Sequence, residues 1–429
     1  MENKMQPASA RPLENRGTSN SLLVSLESDC MNSNKNLFQR IIFVLAALIG
    51  GSALVPCLSA QEATGAKVKL FDGETMHGWH VSKCEAEVLD GAILLKSGNG
   101  FVRTDAQYRN FILELEWKPL QEVKFDSGIY IRAKLPTEEQ MWPQKYQVNL
   151  LEGNAGNLIG FPQAVSKGLT KKNDWNQMRL KVAGSVAEME INGQAAWKVD
   201  NVPDELGYIG FQAEVPNGGQ FLFRNIAITE LDHEALFNGH DLTNWEGGNG
   251  DAGECWEVKD GLLICTGNKG PWLRSKEEFA DFNLRLQYRV SAGGNSGVYI
   301  RVPQDGNHHG KGAGIEIQIL DDPAEQYKDL KAYQYSGSLY AIAPAAPRVG
   351  RTAGQWNNLE IDCSAHRYLV IHNGVIVINA NAEQHPELTE RNLSGFLGLQ
   401  NHSTEVAFRN LRLGPSMQTE SVQANRESK

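Results

Sequence analysis

Residues 295–301 read NSGVYIR, and residues 126–132 read DSGIYIR. In each stretch apolar and polar side chains alternate. Val298 and Ile300 share one face of an extended chain and Tyr299 and Arg301 the other, because successive residues on a strand point to opposite sides. A heptapeptide of this kind met twice predicts two copies of one strand, and the surrounding sequence repeats in the same order. Leu70-Phe71-Asp72-Gly73 with Trp79 returns as Leu236-Phe237-Asn238-Gly239 with Trp245, and Glu87–Gly91 returns as Glu257–Gly261. Further on, Asp174-Trp175-Asn176 matches Gln355-Trp356-Asn357, Asn192-Gly193 matches Asn373-Gly374, Gly210-Phe211-Gln212 matches Gly398-Leu399-Gln400, and Phe223-Arg224-Asn225 matches Phe408-Arg409-Asn410. The pattern is a duplicated domain over residues 66–231 and 232–414, too long a period for a solenoid, whose repeats run about 20–50 residues.

Phe111–Trp117, Phe282–Tyr288, Gly314–Leu320 and Tyr368–Ile378 alternate as well, with clusters of Gly, Asn, Asp and Pro between them. Helical periodicity is scarce. Many short strands per copy predict an all-β chain: two tandem antiparallel β-sandwiches, each of two sheets packed face to face, with a concave polar face. Ile228-Thr229-Glu230 runs within a few residues to Leu236, so the link is short and a fixed arrangement of the copies is expected.

The chain has 429 residues, enough for two cores, and carries 41 Lys+Arg against 51 Asp+Glu, a net charge of −10 without any basic block. Affinity for nucleic acid rests on clustered Lys and Arg, so no nucleic-acid partner is expected. From Ile41 to Val55 the sequence is apolar, with Lys35 and Arg40 before it and Pro56, Ser59 and Ala60 after it. This is the layout of a secretory signal and is short for a membrane span. Residues 1–60 are therefore read as an extension plus signal, with translation expected to start at Met31. Pro56 is a poor residue before a lipidated Cys57, so the expected product is periplasmic or secreted, without stable membrane insertion. Residues 415–429 read as a disordered tail. Beyond the signal, Cys84, Cys255, Cys265 and Cys363 fit no zinc spacing; Cys255 and Cys265 flank the turn at 259–261 and are either a cross-strand disulfide or small core residues.

Several segments of the second copy together carry a family resemblance: LFNGHDLTNW (236–245), WEVKDGLLICTG (256–267), GGNSGVYIR (293–301), GIEIQILDD (314–322), YQYSGSLY (333–340), GQWNNLEI (354–361), HPEL (385–388), GFLGLQNH (395–402) and FRNLRL (408–413). This half resembles the 3-keto-disaccharide hydrolase family, and the first copy resembles it more loosely. The resemblance implies a concanavalin A-like, glucanase-like jelly-roll sandwich and an exported enzyme that cleaves glycosides oxidised at C3, by 1,2-lysis and hydration of the resulting glucal. It also implies a sugar 3-dehydrogenase upstream to make the ketone.

Strand parity points to where such chemistry would sit. Glu316 and Gln318 oppose Ile315, Ile317 and Ile319, while Gln400 and His402 oppose Leu397 and Leu399. If these strands are neighbours, Tyr299, Arg301, Glu316, Gln318, Gln400 and His402 form one polar surface, which Asn401, Tyr335 and Tyr340 border. A C3 ketone acidifies the C2 proton, so a base removes it, charge moves to the C3 oxygen, and the C1 substituent leaves. Glu316 or His402 is the candidate base, or both hold a divalent metal such as calcium. Arg301 is the candidate enolate stabiliser, and Tyr299, Tyr335 or His402 the candidate acid. Tyr299, Gln318, Tyr335, Tyr340, Gln400 and Asn401 are the candidate substrate-binding residues. His308-His309, in the glycine-rich segment 306–314, either cap the cleft or touch a metal, Asp321-Asp322 either bind a cation or form a turn with Pro323, and Trp245, Trp356 and Asn357 either stack on sugar or belong to core and turn. Against the catalytic assignments stand plainer readings: Glu316 and Arg301 as a structural pair, and His402 and His308-His309 as solvated histidines.

The first copy places Gln147 at the position of Glu316 and Glu214 at that of His402, lacks the YQYSGSLY segment, and keeps Tyr130, Arg132 and Gln212. It reads as a binding or supporting domain, and the second copy as catalytic. A non-catalytic tandem carbohydrate-binding protein is the competing reading. A conventional glycosidase, which needs two carboxylates about 5–10 Å apart, finds no Glu-x-Asp-x-x-Glu-like strand here.

Overall fold

Phe111–Pro119 shows in miniature how this sequence builds a sheet. Phe111, Leu113, Leu115 and Trp117 are buried, while the residues between them are partly exposed, so one face turns to the core and the other to water. The structure, a computed structural model, describes Gly65, residues 67–166 and residues 168–417. The signal, Cys57 and the tail beyond residue 417 lie outside these. Among the described residues the regular structure is strand with four short 3-10 turns, and no helix is long and apolar enough to cross a membrane.

In the first copy one layer runs, strand by strand, through Phe221–Glu230, Phe111–Pro119, Asn176–Ala183, Val186–Ile191 and Gln194–Val199. The other runs Gln147–Asn149, Gly128–Ala133 and Gly207–Val215. Ala92–Tyr108, seventeen residues long, belongs to both: Ile93–Leu95 pair with Phe221–Phe223, and the strand beyond Gly98 pairs with Gly207–Val215. Gly98, at φ +86°, sits at the crossing, a backbone conformation that glycine adopts without penalty. The second copy breaks this long strand into Leu262–Thr266 and Leu273–Phe279, and its partner Trp79–Leu89 becomes Trp245–Gly247 and Trp256–Lys259. The two layers of the second copy are therefore separate sheets. One holds Trp256–Lys259, Leu262–Thr266, Glu405–Gly414, Phe282–Val290, Asn357–Ser364, Arg367–His372 and Val375–Asn381; the other holds Trp245–Gly247, Leu273–Phe279, Gly395–Leu399, Asn295–Val302 and Ile315–Leu320.

One sequence expectation needs correcting. Residues 368–378 are not a single strand: Asn373 and Gly374, at φ +48° and +76°, turn the chain into a hairpin, as an Asn-Gly pair between apolar runs does. The four described cysteines are free thiols, so Cys255 and Cys265 follow the small-core-residue reading, both being buried.

Each copy has its own core, one around Phe211, which stacks on Phe223 at 4.0 Å, and one around Tyr288, Phe282 and Phe408. Truncating such a ring to Ala costs about 3–5 kcal/mol. The described residues of both copies fall within one compact unit, joined by a buried ionic cluster. Glu230, at the end of the first copy, lies between Arg285 and Arg412 of the second. Burial pushes its carboxyl pKa up, but the two guanidiniums outweigh that and hold it well below the usual carboxylate range. Arg285 also donates to the Gln107 carbonyl at 2.8 Å, and Asn358 donates to Asp105 at 2.8 Å. These contacts join the two copies directly.

Candidate active site

The concave face of the second copy carries a cleft of about 290 Å³. Its floor comes from two paired strands. Asn295–Val302 and Ile315–Leu320 are in register with Tyr299 opposite Glu316 and Gly297 opposite Gln318. The apolar partners Val298, Ile300, Ile315, Ile317 and Ile319 all enter the core, which forces Tyr299, Glu316 and Gln318 to the other face. A side chain at Gly297 would collide with the Glu316 carboxylate, so glycine there is what lets the acid lie over the sheet. On the far side of Asn295–Val302 runs Gly395–Leu399, which delivers Gln400 to the same face.

Glu316 is 3% exposed and no Arg or Lys forms an ion pair with it among the described residues. Burial raises its pKa to about 8, with Gln400 opposing the shift. Its one charged-type neighbour is His308, whose Nε2 lies 3.3 Å from Glu316 Oε2. His308 Nδ1 sits 3.1 Å from the Gly306 carbonyl; since a carbonyl only accepts, Nδ1 carries a hydrogen and Nε2 is left to share a proton with Glu316. Burial lowers the pKa of His308. A raised acid facing a lowered base is a pair that holds one proton between its members, with both neutral.

Around this pair the side chains are closely locked. The His308 ring stacks on Tyr299 at 4.6 Å, and Tyr299 meets Trp272 edge-on at 5.5 Å. Gln400 donates to the Tyr299 hydroxyl at 2.9 Å, which leaves the phenol proton free to be donated. Gln318 donates to Asn295 at 2.9 Å. The outer wall is the segment after Asp322: Tyr327, Leu330, Gln334 and Tyr340 line it, with Gln334 donating to the Tyr340 hydroxyl at 3.0 Å. His309 and the exposed His402 stand at the mouth. Among the described residues, no group of three His, Cys, Asp or Glu side chains is placed to hold a metal ion.

The cleft thus brings together Glu316, Gln318, Tyr340, Gln400 and His402 from the sequence candidates, with Tyr299 buried beneath the His308 ring and outside the lining. Three others fall outside it. Arg301 is 1% exposed, and its guanidinium donates to the carbonyls of Ala280 and Ala365 and to Asp281. A register shift after Tyr299 and a left-handed φ of +52° at Arg301 break the alternation that placed it beside Glu316. Arg132 does the same in the first copy at φ +47°, donating to the carbonyls of Arg109 and Gly184 and to Asn110. Both arginines are staples between loops. Tyr335 is buried, donates to the Tyr327 carbonyl at 2.7 Å and lies under Arg348. Asn401 donates to the carbonyls of Asn268 and Gly270. The turn and core readings fit Asp322, which accepts from Ser336, and Trp245, which donates to Leu236.

In the first copy the equivalent face is closed on itself. Gln147 donates to Gln212, and Gln212 donates to Glu214 at 3.0 Å. Where His308 covers Tyr299, Trp142 packs against the small cluster of Phe101, Tyr130 and Ala133. Among the described residues no acid–base pair takes the place of Glu316 and His308.

Set beside known proteins, residues 66–229 and 232–414 match a family described as 3-keto-alpha-glucoside-1,2-lyase-like domain. A 3-keto-disaccharide hydrolase of Bacteroides thetaiotaomicron is 25% identical over 225 residues, covering 42% of this chain and 76% of that protein. A crystal structure from Parabacteroides distasonis, solved as a candidate glycosyl hydrolase, is 26% identical over 43% of this chain and 98% of its own, with a TM-score of 0.37. The Bacillus licheniformis β-glucanase is 14% identical over 40% of this chain and 99% of its own, at a TM-score of 0.27.

Proposed function

We propose, for a chain that belongs in both halves to the 3-keto-alpha-glucoside-1,2-lyase-like domain family, that the second copy cleaves glycosides bearing a ketone at C3 and that the first copy is a binding and supporting domain. The observation that carries this is the Glu316–His308 pair: two side chains 3.3 Å apart at a cleft, sharing one proton, where a reaction that removes a proton and returns one needs them. The pair takes the C2 proton. The electron pair moves onto the C3 oxygen to give an enolate, which then expels the C1 substituent and forms the C1–C2 double bond. The departing C1 oxygen receives a proton from the pair or from Tyr299, whose hydroxyl is held by Gln400. Water then adds to the glucal.

The dimensions agree with this assignment. A cleft of about 290 Å³ lies at the lower end of the range for ligand pockets, room for one sugar ring with the aglycone outside. The neighbouring Tyr340 and His309 rings, 5.7 Å apart, suit the apolar face of a pyranose. Because the ketone has to be made first, a sugar 3-dehydrogenase acts upstream, and the apolar stretch 41–55 directs the chain to the periplasm or outside the cell.

The test is aglycone release from 3-keto-trehalose, 3-keto-sucrose and a 3-keto-aryl glucoside by the full chain and by Glu316→Gln, with and without a chelator. Release by the wild type alone supports the assignment, and loss on chelation would add a metal to it. Binding of intact glycans without turnover of any keto-sugar would leave a tandem carbohydrate-binding protein instead.

A further inference from the structure

The duplication allows each side chain of one copy to be compared with its counterpart in the other, and one pair differs in a way that exposes a charge. In the second copy Arg274 stands directly across from Glu246 on the neighbouring strand, next to Gly398 on the other side, with its guanidinium 4.1 Å over the Phe396 ring. Arg274 is ion-paired with Glu246. In the first copy Arg103 holds the same place: across from it is His80, beside it Gly210, and under its guanidinium, at 4.2 Å, the Tyr208 ring. The carboxylate has been replaced by an imidazole, and His80 turns to Asp105, 2.8 Å away. The other Asp105 oxygen accepts from Asn358 at 2.8 Å.

Arg103 is left with one hydrogen bond, to the Thr104 carbonyl at 2.9 Å, and with no carboxylate in ion-pair contact among the described residues. Yet it is only 8% exposed. A buried guanidinium out of contact with a counter-ion is costly; burial lowers its pKa, and the nearby Tyr208 and Asp105 oppose that shift without reaching ion-pair distance. It lines a cleft of about 860 Å³ between the first copy and the 367–381 hairpin of the second, whose Val375 and Ile376 form the opposite wall. That volume is within the roughly 300–1,000 Å³ of ligand pockets.

We infer that this inter-copy cleft is a second binding site, for a sugar carrying a carboxylate, with Arg103 as its anion anchor. The forked guanidinium matches a carboxylate in two parallel hydrogen bonds. Tyr208 holds it flat from below. Val375 and Ile376 offer the apolar surface that the C–H face of a pyranose needs, and Asp105 with His80 lies at the edge where ring hydroxyls fall. The acidic sugar residue would sit where Glu246 would otherwise have reached. The sugar half of this assignment rests on the carbohydrate reading of the second-copy cleft; the anion half rests on Arg103 alone.

Calorimetry on the full chain with a glucuronosyl-glucose disaccharide tests it. The expected result is one equivalent bound, more tightly than cellobiose or sodium acetate, with at least a tenfold loss of affinity in Arg103→Gln. Val375→Trp, which fills the cleft from the second copy, should give a similar loss, and Glu316→Gln should bind as the wild type does. Equal affinity for the disaccharide and for acetate, binding that survives both Arg103→Gln and Val375→Trp, or no binding, would each overturn the proposal. The readout is separate from turnover: a chain that binds the uronate but releases no aglycone from 3-keto-sugars sinks the catalytic reading and leaves this site standing.

Discussion

Replacing Glu316 by Gln should make the protein more stable at neutral pH while abolishing its activity. The carboxyl is 3% exposed, and burial raises its pKa from 4.5 to about 8. At pH 7 the unfolded chain has this group ionised whereas the folded chain holds it protonated. Folding must take up that proton, and each pKa unit between 4.5 and the working pH costs 1.36 kcal/mol. The penalty at pH 7 is therefore about 3 kcal/mol, growing up to pH 8 and absent below pH 4. Glutamine has the same shape, no charge, and an N–H to donate to His308 Nε2, so it escapes the penalty. Chemical denaturation of wild type and Glu316→Gln should give coincident curves at pH 4.5. By pH 7.5 the variant should lead by about 2–4 kcal/mol, or several degrees in Tm. His308, whose lowered pKa removes stability as pH falls below its ordinary value, is present in both proteins and largely cancels. If the two proteins show the same pH dependence of stability, Glu316 is not a buried neutral acid and the shared-proton account of the site fails. Turnover should meanwhile fall by at least a hundredfold, a loss in the range general acid–base catalysis supplies.

Three further substitutions separate the parts of the cleft from the parts of the frame. His308→Phe keeps an aromatic ring on Tyr299 but removes the proton-sharing nitrogen, so kcat should drop by about 10²–10⁴ with little change in the thermal transition; unchanged kcat would remove His308 from the mechanism. Gly297→Ala pushes a methyl group into the Glu316 carboxylate, and the expected outcome is a folded protein by circular dichroism with activity reduced nearly to that of Glu316→Gln. Glu230→Gln takes the counter-ion from Arg285 and Arg412; breaking a buried pair in this way costs about 3–5 kcal/mol, measurable by urea denaturation. Because the folded carboxyl is held below its ordinary pKa, wild-type stability from this cluster should be present at neutral pH and lost on acidification, so the gap between the two proteins should close toward low pH.

Alternation along strands made the floor of the site readable. In Ile315–Leu320 three isoleucines must be buried on one side, so Glu316 and Gln318 could only face the other, and that face is where they are found. The same argument failed at Arg301 because parity holds only while the strand stays regular, and Arg301 is itself left-handed at a register shift, which turns its side chain elsewhere. A signal was available: Arg132 is kept in the first copy although Gln147 stands there in place of Glu316, and an arginine retained without its supposed partner has another task. Tyr335 and Asn401 were misplaced because they lie outside strands, at the end of a 3-10 turn and after Leu399, where no period applies. His308 lies in a glycine-rich loop, where the sequence left a cap over the cleft and a solvated histidine as alternatives, and the fold returns the loop over Tyr299.

The two copies share a frame and differ in where they place negative charge. The frame is the same to the level of single contacts: Arg132 and Arg301 staple matching loops, and Arg103 and Arg274 lie over matching rings. A carboxylate at Glu246 is ion-paired with Arg274, a partner that Arg103 does not have in the first copy. In the second-copy cleft Glu316, raised by burial, needs a proton instead of a counter-ion and faces His308. The first copy has lost both acids, through His80 and Gln147. Losing the one at position 147 removes proton transfer, and losing the one at position 80 uncovers Arg103. The two changes fall at different places, Gln147 on the face it shares with Gln212 and Glu214 and His80 at the cleft that Arg103 lines, so the proposed anion site is separate from the face that corresponds to the second-copy cleft.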